Sequence, residues 1–285
     1  MKFLASIVIP AKNEEKSIGV VVAGLRALEL NLEIIVVDDG STDSTGAIAR
    51  AAGARVIAHP YSKGNGAAIK AGAREAEGTM IVFMDGDGQH SPSDVPELLG
   101  ELQCGYDMVV GARQKGSQAN LGRATANGFY NSLASFMTGH AVEDLTSGFR
   151  AVNAVRFREF LYLLPNGFSY PTTSTMAFFR AGYSVKYVPI HAAKRVGESH
   201  LKPVRDGLRF LLIIFKIGTL YSPLKLFVPL AAAQFLAGVV WYGYTITTMG
   251  RFTNMSALLM TAGVVVFMMG LISEQITSLM YKDTY

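Results

Sequence analysis

A mostly parallel, doubly wound α/β sheet followed by a membrane hairpin is the fold class that this 285-residue sequence predicts. Three observations carry that expectation. Short apolar runs alternate with amphipathic stretches from Ala5 to Val110, the pattern of strands joined by crossover helices. Three of those runs stop abruptly on polar side chains, at Lys12-Asn13-Glu14, at Asp38-Asp39 and at Asp85-Gly86-Asp87. Two later stretches, Ser222 to Met249 and Asn254 to Met280, are almost wholly apolar, and each exceeds the roughly 20 residues that a spanning helix needs.

Taken in order, Ala5 to Pro10 reads as a buried strand closed by proline, and a helix begins at Asn13-Glu14-Glu15 and runs to about Leu28. The strand Leu32 to Val37 stops at Asp38-Asp39-Gly40-Ser41. Helix Ser44 to Ala52, strand Arg55 to Ala58, helix Gly64 to Ala76 and strand Met80 to Met84 follow. Ser91 caps a helix over Pro92 to Gln103, and Asp107 to Val110 is a further strand. From Gly111 to His200 the pattern is more irregular. Between Leu201 and Leu220, Lys202, Arg205, Arg209 and Lys216 alternate with leucine, isoleucine and phenylalanine. That segment reads as a basic amphipathic helix in the membrane interface, or as the last helix of the soluble domain. The expected domains are a soluble domain over 1–200, an interfacial helix over 201–221 and a hairpin over 222–285.

Gly250 to Thr253 joins the two apolar stretches, so their outer ends face one side of the membrane. Lysine and arginine gather there, whereas the joining loop holds only Arg251, which predicts a soluble domain on the cytoplasmic side of an inner, multi-pass membrane protein. No leader-like run precedes the first strand, and the lone Cys104 fits a reducing compartment. The net charge of +4 is concentrated beside the hairpin, which points to anionic lipid and away from nucleic acid. Glu274, near the end of the second stretch, is expected to reach for the interface.

The chemistry is expected at the strand ends. Two carboxylates one residue apart, Asp85 and Asp87, are placed to point the same way once Gly86 and Gly88 turn the backbone, and two hard oxygen ligands there suit a divalent cation. Gln89 adds a carbonyl oxygen. An isolated Asp-Gly-Asp-Gly also reads as a solvated acidic turn, and it is the neighbouring strand ends that favour a site. Asp39 is suited to accept hydrogen bonds from a base N–H or a ribose hydroxyl. His59 to Gly66 supplies a glycine-rich helix entrance with Lys63, an environment for diphosphate. The stretch matches neither the G-x-x-x-x-G-K-[ST] nor the G-x-G-x-x-G pattern, so nucleotide hydrolysis and dinucleotide binding lose support. His90 reads as structural.

The segments Val8-Ile-Pro-Ala-Lys-Asn-Glu-Glu15, Val36-Val-Asp-Asp-Gly-Ser-Thr-Asp43 and Met84-Asp-Gly-Asp-Gly-Gln-His90 resemble family 2 glycosyltransferases of the GT-A type. Asp144-Leu-Thr-Ser-Gly-Phe-Arg150 and Arg195-Val-Gly-Glu-Ser-His200 are similar to the polyprenyl-phosphate branch, which includes dolichyl-phosphate mannose synthases and bacterial undecaprenyl-phosphate glycosyltransferases. The resemblance covers about residues 4–225. It implies that Pro10, Lys12, Glu14, Val37 and Asp39 surround the nucleoside, with Lys63 and Gly86 also on the nucleotide. It further implies that Asp85, Asp87 and Gln89 hold Mg2+ or Mn2+, with Asp85, Asp87 and Arg113 as the catalytic set. Arg123 and Asn127, four apart on an expected helix, would grip the acceptor phosphate, although an ordinary solvated helix face gives the same spacing. Arg195 and His200 join them. The family commonly has lysine where this chain has His200, which leaves Lys194, Arg195 and His200 as candidates for one phosphate contact.

The expected reaction is inverting transfer of a hexose from a nucleotide diphosphate sugar, of the GDP-mannose or UDP-glucose class, to a polyprenyl phosphate of undecaprenyl or dolichyl type. A homo-oligomer is compatible with it. Two alternatives differ in class: a membrane-anchored nucleotide-sugar or lipid-phosphate binding protein without turnover, and a polysaccharide synthase. The second lacks support, because its Gln-x-x-Arg-Trp motif is missing and the only tryptophan, Trp241, lies inside the first apolar stretch.

Overall fold

The computed structural model describes residues 3–114, 121–167, 169–191, 215, 218–219 and 221–280, with 121–127 as backbone only. Two compact units emerge, residues 1–135 with 140–201, and 136–139 with 202–285. In the first, the order is β1 (Ala5–Ala11), α1 (Ile18–Arg26), β2 (Leu32–Asp38), α2 (Thr45–Ala51), β3 (Arg55–Ala58), α3 (Asn65–Glu75), β4 (Met80–Phe83) and α4 (Val95–Gln103). Next come β5 (Met108–Arg113), α5 (Leu121–Thr138), β6 (Arg150–Asn153), α6 (Ala154–Arg158), α7 (Tyr170–Arg180) and β7 (Val185–Ile190). A single turn of 3-10 helix, Pro92–Asp94, leads into α4, and Ser91 Oγ accepts from the amide of Ser93 there.

The seven strands lie in the order β3-β2-β1-β4-β6-β5-β7. Pairs β1–β2, β1–β4, β2–β3 and β5–β7 are parallel, whereas β6 runs antiparallel to both β4 and β5. The sheet is therefore mostly parallel, as expected, with one reversed strand inside it. Side chains alternate along β1: Ile7 and Ile9 join Val21, Val22 and Leu25 of α1 and Leu98 of α4 in one core, while Val8 faces Gly72 of α3 on the other side. Each fully buried aliphatic side chain stabilises by about 1.5–3 kcal/mol relative to exposure, so this alternation fixes the register.

The segment read as irregular, 111–200, contains β6, α6, α7 and β7. The sequence conceals them for physical reasons. Strand β6 is only Arg-Ala-Val-Asn, and its arginine is fully buried. Helix α7 opens Tyr-Pro-Thr-Thr-Ser-Thr, and all six of those residues are buried, so polar residues stand where an apolar stripe would announce a helix.

In the second unit, α8 (Pro223–Met249) and α9 (Asn254–Met280) are both long and apolar enough to cross a membrane. At 27 residues each, they extend about 40 Å, against a hydrocarbon core of about 30 Å. Gly250, at φ +65°, ends α8 in the left-handed conformation and turns the chain. Ser256, Gly263, Gly270 and Thr277 are the buried residues of α9 and recur every seven positions; Ala231, Gly238 and Thr245 do the same on α8. A Cβ at Gly263 would stand 3.0 Å from the Ala231 carbonyl oxygen, so the helices meet backbone to backbone along a heptad seam. A carboxylate oxygen of Glu274 lies 3.5 Å from the amide of Leu224 in the first turn of α8. That helix start supplies a donor and partial positive charge, so Glu274 has a partner inside the hairpin. The expected interfacial helix falls almost wholly outside the described residues.

Candidate active site

Topology decides which residues meet. Strands β1, β2 and β4 are mutually parallel neighbours, so their C-terminal ends share one sheet edge. Because β6 is antiparallel to β4 and β5, the end of β5 and the loop entering β6 reach that same edge. Lys12 to Glu14, Asp38-Asp39, Asp85 to Asp87, Arg113 and the 144–149 loop are thereby brought together.

On the β1–β3 side the loops are laced to one another. Asn13, in a left-handed conformation at φ +56°, accepts from the Thr42 amide at 2.9 Å and donates its own amide to Ser41 Oγ at 3.0 Å. The Glu14 amide donates to Thr45 Oγ1 at 2.8 Å, and Ser17 Oγ donates to the Gly86 carbonyl at 2.7 Å. Lys12 and Lys63 are exposed, Pro10 and Glu14 are half-buried, and Gly86 is buried. Val37 is fully buried, with its side chain toward Gly72 of α3, so it packs the core and offers no side-chain contact to a nucleoside.

Asp39 is used differently from its expected role. Its Oδ1 accepts from His59 Nδ1 at 2.7 Å and the Lys63 amide at 2.8 Å; its Oδ2 accepts from Ser62 Oγ at 2.8 Å and the Gly64 amide at 2.9 Å. Burial alone would raise its pKa, but these hydrogen bonds outweigh burial and hold the carboxyl down at about 2. Two carboxylate oxygens offer about four acceptor positions, and all are taken by the 59–64 loop. At the glycine-rich helix entrance two amides already have protein partners. The Gly66 amide donates to the Gly167 carbonyl at 3.0 Å, and the Ala67 amide to the Asn166 carbonyl at 2.9 Å. A Cβ at Gly66 would fall 2.0 Å from the Pro165 carbonyl oxygen. These glycines serve close backbone approach, and the helix dipole is answered by protein carbonyls.

At the centre, Asp85 is 36% exposed at its side chain while Asp87 is buried, its Oδ1 accepting from the Gln89 amide at 3.1 Å. Only Gly88 of the two glycines takes a positive φ, +74°. His90 is stacked on Phe149, with ring centroids 4.9 Å apart, and its Nε2 stands 4.0 Å from Asp85 Oδ2. Burial lowers its pKa, against the pull of the Asp87 charge, which suits a neutral structural ring.

Arg113 completes the edge through a partner that sequence reasoning missed. Asp144 holds it in a fork, Nε to Oδ2 at 2.8 Å and Nη2 to Oδ1 at 2.9 Å, and Nη2 also donates to Thr146 Oγ1 at 2.6 Å. The hydrogen bonds to Asp144 raise the arginine's pKa, and the same hydrogen bonds, with the arginine's charge, override burial to lower that of Asp144. The pair is therefore ionised, and bidentate geometry fixes the plane of the guanidinium. Behind it, the fully buried Arg150 donates to the carbonyls of Pro171 and Ser147 and to Ser174 Oγ and Thr175 Oγ1. It ties the loop entering β6 to the first two turns of α7. Tyr170 Oη donates to the Gly148 carbonyl at 2.8 Å, and a Cβ at Gly148 would meet Asp85 Oδ2 at 3.1 Å. Asp144 and Arg150 both stand in the Asp-Leu-Thr-Ser-Gly-Phe-Arg segment; a fork across 31 residues leaves no local signal in sequence.

Arg123 and Asn127 fall in α5 as expected, with side chains outside the described residues. Arg195 and His200 also lie outside the described residues.

A mixed sheet that delivers acids and a clamped arginine to one edge, carried on a chain with an apolar hairpin, defines a membrane-associated GT-A-type glycosyltransferase. The chain belongs to glycosyl transferase family 2, whose model matches residues 6–162, and residues 222–279 match the GtrB C-terminal hairpin. It is 33% identical to a dolichyl-phosphate hexose transferase of Haloferax volcanii, over 71% of this chain and 88% of that protein. It is 29% identical to an undecaprenyl-phosphate 4-deoxy-4-formamido-L-arabinose transferase of Pseudomonas paraeruginosa, over 98% of this chain and 86% of that one. Among solved structures it is similar to glucosyl-3-phosphoglycerate synthase from Mycobacterium tuberculosis, in complex with Mn2+, UDP and glucosyl-3-phosphoglycerate. That likeness has a TM-score of 0.60 and 26% identity, and covers 74% of this chain and 78% of the other.

Proposed function

We propose that the protein transfers a hexose from a nucleoside diphosphate sugar to the phosphate of a membrane polyprenol, with inversion at the anomeric carbon. The observation that supports it most is a conjunction: the Asp85–Asp87 turn beside a fork-held Arg113, on a chain whose last part matches the GtrB C-terminal hairpin. The relatives' names, dolichyl-phosphate hexose transferase and undecaprenyl-phosphate 4-deoxy-4-formamido-L-arabinose transferase, support the acceptor class.

A divalent cation fits the donor set. Asp85 and Asp87 supply hard oxygens, and among the described residues no group of three or more His, Cys, Asp or Glu side chains could hold an ion by itself. Hard oxygens of this kind suit Mg2+ or Mn2+. Asp85, Asp87 and Gln89 would hold it, and when bound it supplies charge stabilisation for the departing diphosphate. Arg113 contributes fixed positive charge at the same edge, oriented by Asp144. The acceptor phosphate is largely ionised at neutral pH, since a phosphate monoester has its second pKa near 6, so the chain need not supply a strong base. Its task is alignment of the acceptor oxygen with the anomeric carbon.

The chain divides into a soluble domain over 1–200, an interfacial helix over 201–221 and a hairpin over 222–285, with the soluble domain on the cytoplasmic side by charge distribution. Arg123, Asn127, Arg195 and His200 are the residues assigned to the acceptor phosphate. A panel of labelled UDP- and GDP-sugars, offered with polyprenyl phosphate in vesicles and scored by lipid-extractable label, tests the reading. One donor class giving lipid-linked hexose of inverted anomeric configuration is the expected result. Donor binding without any lipid-linked product would replace it with the binding-protein alternative.

A further inference from the structure

Asp39 cannot accept from a nucleoside without releasing a protein donor, because the 59–64 loop fills both its oxygens. Its closest partner is His59, the residue just after β3, whose own amide donates to the Asp38 carbonyl at 2.9 Å. An ionised carboxylate is an acceptor only, so the ring nitrogen 2.7 Å from it, Nδ1, carries the hydrogen. In the neutral ring Nε2 is then left as an acceptor. The side chain keeps 7% of its surface open, and Nε2 is not among the fully buried unpartnered atoms. Among the described residues it has no hydrogen bond. Beside it, Gly40 at φ +68° brings the end of β2 against the backbone of Tyr61 and Ser62, and Tyr61 is 67% exposed. The Lys63 ammonium lies 5.9 Å from that ring's centroid. An oriented acceptor, an open aromatic face and a cation thus adjoin the end of β2.

We propose that His59 makes the nucleoside contact that the Asp39 position suggests: Asp39 orients the ring, and His59 Nε2 accepts a hydrogen bond from a base N–H or a ribose hydroxyl. This rests on the reading of the protein as a nucleotide-sugar enzyme. Asp39 is then a positioning residue, and Tyr61 is the neighbouring surface for the base.

Two substitutions separate this from a purely structural role for His59. In His59→Asn the amide nitrogen takes the place of Nδ1, which keeps the Asp39 bond and removes the outer nitrogen. In His59→Gln the amide reaches the place of Nε2 and gives up the Asp39 bond. Affinities for UDP and GDP are measured by calorimetry on the full chain in detergent, with thermal melting as the control. The expected result is that His59→Asn melts near wild type yet binds the preferred nucleotide about tenfold more weakly, the scale of one hydrogen bond to a buried group. Unchanged affinity in His59→Asn overturns the proposal and leaves the glycosyltransferase reading intact. Failure of the wild-type protein to bind either nucleotide overturns both. Should the variants not fold, the wild-type protein decides: diethyl pyrocarbonate labelling of His59, read by peptide mass spectrometry, is expected to be blocked by the nucleotide. Labelling that the nucleotide does not reduce, or a His59 that is never labelled, overturns the proposal.

Discussion

Two parts of the same sheet edge use aspartate in opposite ways. At the end of β2, Asp39 is filled by donors from its own chain, and its charge builds a loop. At the end of β4, Asp85 keeps 36% of its side chain open, with His90 at 4.0 Å and the charge of Arg113 nearby. Both follow a buried strand and both precede a glycine, so their sequence contexts look alike. The difference lies in what the opposite loop supplies. The 59–64 loop presents two amides, a hydroxyl and an imidazole to Asp39, whereas the 144–149 loop meets Asp85 with Gly148 and commits its own acid, Asp144, to Arg113. What separates the two acids is exposure: 36% of the Asp85 side chain is open, against 6% of that of Asp39.

The largest effect should come from the Asp85–Asp87 turn. Asp87→Asn and Asp85→Asn are expected to lower kcat by about a thousandfold, the scale of losing one charge-stabilising group in a closed site, while melting stays close to wild type. Near-normal turnover with Mg2+ or Mn2+ would erase the distinction between the two regions. Asp144→Asn comes next: with the fork to Arg113 weakened, kcat should fall by roughly ten- to a hundredfold with little change in nucleotide affinity. A loss confined to nucleotide affinity would place Arg113 elsewhere in the reaction.

Asp39→Asn sharpens the other half of the comparison, because there the expected cost is stability. The folded carboxyl sits at about 2, below its ordinary 3.8, so folding is favoured by its ionised form. That contribution, about 2 kcal/mol, is complete above the unfolded value and is lost as pH falls from about 4 toward 2. Urea unfolding at pH 7 and pH 3 should show wild type losing more stability than Asp39→Asn on acidification. Parallel losses would mean that Asp39 is not held by its four donors. The smallest expected effect lies in the hairpin. Gly263→Val inserts carbon where a Cβ already meets the Ala231 carbonyl oxygen at 3.0 Å, and overpacking of this kind costs about 1–3 kcal/mol. Hairpin melting in detergent should fall, with donor affinity unchanged.

Much of this was legible in sequence where structure is local. Strands β1 to β5 and the helices between them announced themselves by period and by glycine and proline at their ends, and the spanning helices by length. The reversed strand β6 was not legible: four residues beginning with a buried arginine carry no apolar alternation. The pairings of Arg113 with Asp144 and of Asp39 with His59 bridge 31 and 20 residues, and they follow from strand order, which no local pattern encodes. Asp85 and Asp87 could be named from spacing alone, but their unequal exposure could not.

The most direct test of the central claim is transfer in vesicles containing polyprenyl phosphate, with the preferred labelled donor, comparing wild type with Asp87→Asn and wild type with EDTA. Lipid-linked hexose that forms with wild type, disappears with EDTA, returns with Mg2+ or Mn2+ and is lost in Asp87→Asn is the predicted outcome. Lipid-linked product that persists in Asp87→Asn, or label that enters only water-soluble acceptors, would contradict it.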